Sequence, residues 1–193
     1  MIRHALPLRV EGVPGRPADP PLSEGGRLQA ERLRRWLAGE HLDAVYASPL
    51  LRARETAAPL ARDRELEIVL EQGIAEFDRD AESYVPLEEL KAESWARWKE
   101  LVDGGLYASL DIDGFRRTVV EAVERIVGTH PRKRVAVVCH GGVINAWAAH
   151  VLGIDRPIFF EPGYTSIHRF LAASSGERSV LSLNELAHLR GER

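Results

Sequence analysis

The stretch Arg134 to Gly142, read as Arg-Val-Ala-Val-Val-Cys-His-Gly-Gly, constrains the fold of this chain more than any other. Val135 to Val138 is an unbroken apolar run rich in β-branched side chains. That composition suits a strand buried on both faces, as in the middle of an α/β sheet. The run stops at His140, and Gly141 and Gly142 follow at once. Val143, Ile144, Ala146, Trp147, Ala148 and Val151 then read as a helix. A histidine is therefore expected at the carboxyl end of a buried strand, where a helix begins. Ligands of open α/β sheets bind along that edge. The two glycines would let backbone N–H groups come close to an anion at the helix start. Taken alone, the stretch fits equally well a strand-to-helix turn whose histidine is merely hydrogen-bonded.

The rest of the sequence narrows this choice. The chain has 193 residues, enough for one domain with a full core spanning 1–193. No apolar run approaches the roughly 20 residues needed to span a bilayer, and Met-Ile-Arg-His at the start carries no signal-peptide core. Cys139 is the one cysteine, so no internal disulfide and no Cys-based zinc site can form, and a reducing cytoplasm is the expected setting. A net charge of −3 argues against a general nucleic-acid binder. Of 26 basic residues only Lys91, Lys99 and Lys133 are lysine. Forked guanidinium groups are thus at hand wherever a phosphate has to be bound.

Met1 to His4 reads as the end of a strand, either a very short one or one that starts upstream of Met1. Pro7, Pro14, Pro17, Pro20 and Pro21 make residues 5–21 a long loop of plausible functional role. Ser23 caps a helix expected to run to about Ala38. Asp43 to Ala47 is a second buried strand. Ser48-Pro49 then opens a helix, with Ser as cap and Pro at the first helical position. Arg52, Glu55 and Thr56 share one face of that helix, and Pro59 should bend or shorten it. Leu66 to Leu70 is a third strand, 72–84 an acid-rich irregular segment, and Pro86 to about Leu101 a helix. Phe115, Val119, Val123 and Ile126 repeat at helical spacing. Ser166 to Ala172 and Ser179 to Leu183 form an edge hairpin. The expected fold is α/β, three layers α/β/α around a mostly parallel central sheet.

Three of these strands end in functional polar groups: Arg3-His4, Ser48 to Arg52, and His140. Strand ends of such a sheet lie side by side, so these groups can converge. Two arginines and two histidines around a helix start make a site for a dianion. Arginine gives bidentate bonds to phosphate oxygens. A neutral histidine can attack phosphorus, and a protonated one can stabilise added charge. Cys139 with an arginine six residues on would suit a cysteine phosphatase, but position 145 is Asn. His41, His130, His150, His168 and His188 read as surface or structural histidines, and no metal-ligand spacing is present.

The blocks resemble those of the histidine phosphatase superfamily, the phosphoglycerate-mutase-like proteins. Arg3-His4-Ala5 is similar to its Arg-His-Gly signature, with Ala for Gly. Leu22 to Ala30 resembles its Leu-Thr-x-x-Gly-x-x-Gln-Ala helix start. Ser48 to Ala57 resembles its Ser-x-Leu-x-Arg-Ala-x-x-Thr-Ala block. Ile74-Ala75-Glu76 sits where the family has Leu-x-Glu, and Val138 to Gly142 matches its second-histidine motif. The resemblance implies a metal-independent phosphomonoester hydrolase without cofactor. His4 would be the nucleophile that becomes phosphohistidine. Arg3, Arg52 and His140 would hold the equatorial oxygens. Glu76, with Asp78 as competitor, would be the acid and then the base. The implied partners are a small phosphorylated substrate and inorganic phosphate as product, with neither nucleic acid nor membrane; a homodimer stays open. Val10, where the mutases have Asn, and Phe77-Asp78-Arg79-Asp80, where they are Gly-rich, favour phosphatase over phosphoglycerate mutase. A phosphatase for protein phosphohistidine and a phosphate-binding module without turnover are the alternative readings. Ala5 is expected to crowd the approach beside His4.

Overall fold

The computed structural model describes residues 1–10, 14–86, 111–156 and 158–190, with 89, 91 and 94–96. Most of the helix expected over 86–101 lies outside the described residues.

The apolar run forms β4 (Val135–Cys139). On one side it pairs in parallel with β2 (Ala44–Ala47), on the other with β1 (Ile2–Arg3). With β3 (Ile68–Leu70) and the hairpin β5 (Ile167–Ala172) and β6 (Arg178–Glu185), the order is β3-β2-β4-β1-β5-β6. The sheet is mixed: the first four strands are parallel, and β5 runs antiparallel to both β1 and β6. The hairpin is as expected.

Strand alternation explains the three layers. Ala136 and Val138 of β4 pack with Ile2, Val45 and Ala47 against α1 (Glu24–Trp36) and α2 (Leu51–Arg62). Val137 and Cys139 face the other way, into Val119, Val123 and Ile126 of α3 (Ile112–Thr129) and Val143, Ile144 and Trp147 of α4 (Gly141–Leu152). Both faces of β4 are covered, which is why its sequence does not alternate in polarity.

Ser23 does cap α1, accepting the Gly26 N–H at 3.0 Å. Ser48 does not cap α2. That helix starts at Leu51, its N-cap position is Leu50, and no side chain caps it. The reason is geometric: Ser48 N–H still donates to Val138 O at 3.0 Å, so the residue belongs to the sheet edge and not to the turn. Pro59 lies inside α2, which continues to Arg62. Its missing N–H falls in the last turn, where little helix remains to be broken.

Candidate active site

The strand order puts the carboxyl ends of β2, β4 and β1 next to one another. Backbone bonds carry the ladder past the strands into the site. His4 N–H donates to Cys139 O at 2.9 Å, and Arg3 N–H to Ser166 O at 3.1 Å. His4 and His140, 136 positions apart in sequence, thereby stand with ring centroids 5.1 Å apart. Both are buried.

The His4 ring is oriented by its own neighbour. Nδ1 lies 2.8 Å from Ala5 O, an acceptor only, so Nδ1 carries the proton and Nε2 the lone pair. Burial first, then Arg52 and Arg3, pushes its pKa well below the ordinary value. The same causes, with His4 added, lower that of His140. Both shifts favour the neutral form of the ring. His140 Nε2 lies 2.7 Å from Ser48 Oγ, while its Nδ1 is buried without a hydrogen-bond partner.

The chain after His4 is clamped from three directions. Ser23 Oγ donates to Leu6 O at 2.9 Å, and Leu6 N–H donates to Gln29 Oε1 at 2.9 Å. A Cβ on Gly26 would stand 2.0 Å from Leu6 O, so that close approach needs glycine. Ala5 N–H donates to Thr56 Oγ1 at 2.9 Å, and Thr56 Oγ1 donates to Arg52 O at 2.7 Å. The Ala5 methyl does not crowd His4. It packs with Leu22 and Ala30.

Arg52 is 1% exposed, and its Nε has no hydrogen-bond partner. Its Nη2 donates to Asp78 Oδ1 at 3.1 Å, and its guanidinium lies over the Tyr84 ring at 4.6 Å. Arg3 Nη1 donates to Pro162 O at 2.5 Å, and its guanidinium covers the Tyr164 ring at 3.9 Å.

Glu76 follows a 3-10 turn, Gln72–Ile74, and is buried. Its Oε2 accepts from Gly142 N–H at 2.8 Å and its Oε1 from Phe77 N–H at 3.1 Å. The acceptor at the start of α4 is thus this carboxyl group. A Cβ on Gly142 would stand 2.3 Å from Glu76 Oε1. Burial, reinforced by Asp78, raises the Glu76 pKa to about 7, against the pull of those two amides and Arg52. Asp78 is raised by burial and opposed by Arg52.

All five expected site residues, Arg3, His4, Arg52, Glu76 and His140, therefore line one region. Sequence reasoning missed Tyr164, whose ring centroid is 5.7 Å from that of His4. It is presented by Thr165, a buried β-branched residue at φ +57°, a strained conformation for such a side chain. Thr165 N–H donates to His4 O at 3.3 Å, and its hydroxyl donates to Tyr164 O at 2.7 Å. No motif marks either position. Asn145, standing where a cysteine phosphatase needs its arginine, instead ties the 159–160 backbone to α4 through Phe159 N–H, Phe160 N–H and Phe160 O. Cys139 is a buried thiol with its pKa pushed up to about 12 by burial, so it carries no thiolate chemistry.

The three-layer fold, with strand-end histidines above its parallel half, is that of the phosphoglycerate-mutase-like phosphatases. YhfR of Bacillus stearothermophilus shares it, with a TM-score of 0.75 at 24% identity over 98% of this chain and 97% of that one. So does the phosphoserine phosphatase of Entamoeba histolytica solved with 3-phosphoglyceric acid, with a TM-score of 0.73 at 24% identity over 97% and 96%. In sequence, phosphoserine phosphatase 1 of Hydrogenobacter thermophilus is 32% identical over 183 residues, covering 89% of this chain and 83% of that protein. The description of the histidine phosphatase superfamily (branch 1) matches residues 1–185. The chain belongs to that superfamily and is a phosphoric monoester hydrolase. Among the described residues no helix is long and apolar enough to cross a membrane.

Proposed function

We propose that this chain is a metal-independent phosphomonoesterase that hydrolyses small phosphorylated metabolites through a phosphohistidine on His4. The observation that carries the reading is the pair of imidazoles. One presents a lone pair from Nε2, and the other stands 5.1 Å away with an unpartnered nitrogen, within the electrostatic reach of Arg52 and Arg3.

His4 Nε2 attacks phosphorus as the ester P–O bond breaks in line. The Glu76 proton passes to the leaving oxygen. In the second half, Glu76 takes a proton from water, the water oxygen attacks phosphorus, and inorganic phosphate leaves with His4 restored. Arg3, Arg52 and His140 bear the charge of the equatorial oxygens, which is most of what a phosphoryl transition state asks of a protein. A Glu76 pKa of about 7 lets one carboxyl serve as acid and base near neutrality. The names of the relatives make phosphoserine the first substrate to try. The single buried thiol supports a cytoplasmic setting, and the continuous sheet supports one unit over 1–193.

His4→Ala should abolish phosphate release from phosphoserine and from p-nitrophenyl phosphate. Wild-type protein quenched during turnover of a ³²P-labelled ester should carry acid-labile, base-stable label. Undiminished turnover by the variant would sink the assignment.

A further inference from the structure

Ser48 sits where a helix cap was expected and caps nothing. Its amide is tied to Val138 O, just past the Ala47↔Val138 pair of the β2–β4 ladder, and the residue is wholly buried. The hydroxyl oxygen has two contacts: it accepts from Leu50 N–H at 3.3 Å and lies 2.7 Å from His140 Nε2. A hydroxyl holds one proton and two lone pairs. If Nε2 were protonated, both neighbours would donate to Oγ, and the hydroxyl hydrogen would be buried with no acceptor, a costly arrangement. The O–H therefore donates to Nε2, and the ring proton stays on Nδ1.

That proton sits on the His140 nitrogen that has no partner among the described residues, in the ring that stands beside His4. His4 carries its proton on Nδ1 too, held there by Ala5 O. The two rings share a tautomer but present opposite ends: His4 offers a lone pair, His140 an N–H. In a phosphoryl pocket the first attacks and the second donates to an oxygen. With the opposite tautomer, His140 would turn a lone pair toward the phosphate oxygens and repel them.

We propose that Ser48 is a positioning residue: its hydroxyl locks His140 in the Nδ1–H form and so makes it a hydrogen-bond donor to the transferring phosphoryl group. The donor role rests on the function proposed above, whereas the tautomer can be read without turnover. The charged and titratable groups facing His140 are Arg3 at the end of β1 and His4 just after it, Arg52 on α2, and Glu76, whose carboxyl group holds the neighbouring Gly142 amide. None of them hydrogen-bonds to Nε2, so the tautomer is left to Ser48.

The test is nitrogen-15 NMR of the full chain labelled at histidine, near pH 7.5, with His140 assigned from the His140→Gln spectrum. His140 should show a protonated Nδ1 and an unprotonated, hydrogen-bonded Nε2. A protonated Nε2 in the wild-type protein overturns the proposal. Ser48→Ala should release the tautomer and lower kcat/KM on p-nitrophenyl phosphate about 10²-fold, the scale of losing one preorganised donor. Ser48→Thr, which keeps the hydroxyl, should restore the Nδ1–H signal and most of the activity. Ser48→Ala with the tautomer and kcat/KM of wild type also overturns it. A wild-type protein with the expected tautomer and no turnover would count against the His4 reading and leave the Ser48–His140 lock standing.

Discussion

On one side of the pocket, Arg3, His4 and His140 prolong a ladder of backbone hydrogen bonds; on the other, Glu76, Asp78 and Tyr84 belong to a segment that no strand holds. The ladder side is fixed by His4 N–H to Cys139 O and Ser48 N–H to Val138 O, inside a sheet covered on both faces. The 76–84 side is pinned by an isolated bridge between Val10 and Tyr84, by Ala18 N–H to Ala81 O, and by side-chain contacts to Arg52. Under the mechanism proposed above, the difference divides the labour. Nucleophilic attack needs a lone pair aimed to within a fraction of an ångström, which a sheet edge supplies. Proton transfer needs a carboxyl poised near neutrality, which burial beside a second carboxylate supplies. Substitutions on the ladder side should lower the rate at every pH. Those on the other side should reshape the pH profile.

The largest test of that division is Glu76→Gln. It should cost about 10²–10⁴-fold in kcat on an alkyl phosphate. It should also erase the fall in activity expected of wild type as pH rises through about 7, where Glu76 loses its proton. The same variant has a stability signature. The folded-state pKa is raised, so the contribution of the protonated carboxyl is full below its ordinary value and lost as pH climbs through about 7. Glu76→Gln should therefore gain in Tm relative to wild type between pH 5 and pH 8, as followed by thermal melts. A constant difference across that range would contradict the raised pKa.

Arg52→Ala comes next. It should lower kcat/KM about 10²–10³-fold with the pH limb still visible in initial rates. Disappearance of the limb in this variant would break the comparison, because it would place titration control on the arginine. Gly142→Ala links the two sides. The new methyl would meet Glu76 Oε1 at 2.3 Å and the Phe77 ring at 3.0 Å. A loss of about 1–3 kcal/mol of stability in denaturant melts is expected, with Glu76 pushed out of register. The smallest effect belongs to Asp78→Asn. Removing the charge that helps hold the Glu76 proton should move the alkaline limb of kcat/KM to lower pH. A shift to higher pH would show that Asp78 acts through Arg52 and not on Glu76.

Much of this arrangement was legible beforehand. The unbroken β-branched run announced a strand covered on both sides, because only such a strand can dispense with polar alternation. Histidine, then two glycines, then a helix placed His140 at the binding edge. Ser23 announced its helix start, since a side chain that accepts an amide three residues on is a local device. Ser48-Pro49 carried the same local signal and misled. The parallel register with β4 outcompeted the cap, a contest between distant segments that no local window contains. Tyr164 escaped for a related reason: its position depends on strain at Thr165 and on a bond from that residue to His4 O.

The sequence by itself determined the elements, the strand-end placement of Arg3, His4, Arg52 and His140, and the family, because each is written in composition and short spacings. Only the tertiary structure decided which protons sit where. The contact of Ser48 with His140, the lowered pKa values of both rings and the raised carboxyl of Glu76 arise from burial and from partners far apart in the chain. Desolvation and hydrogen-bond geometry exist only once those partners have been brought together.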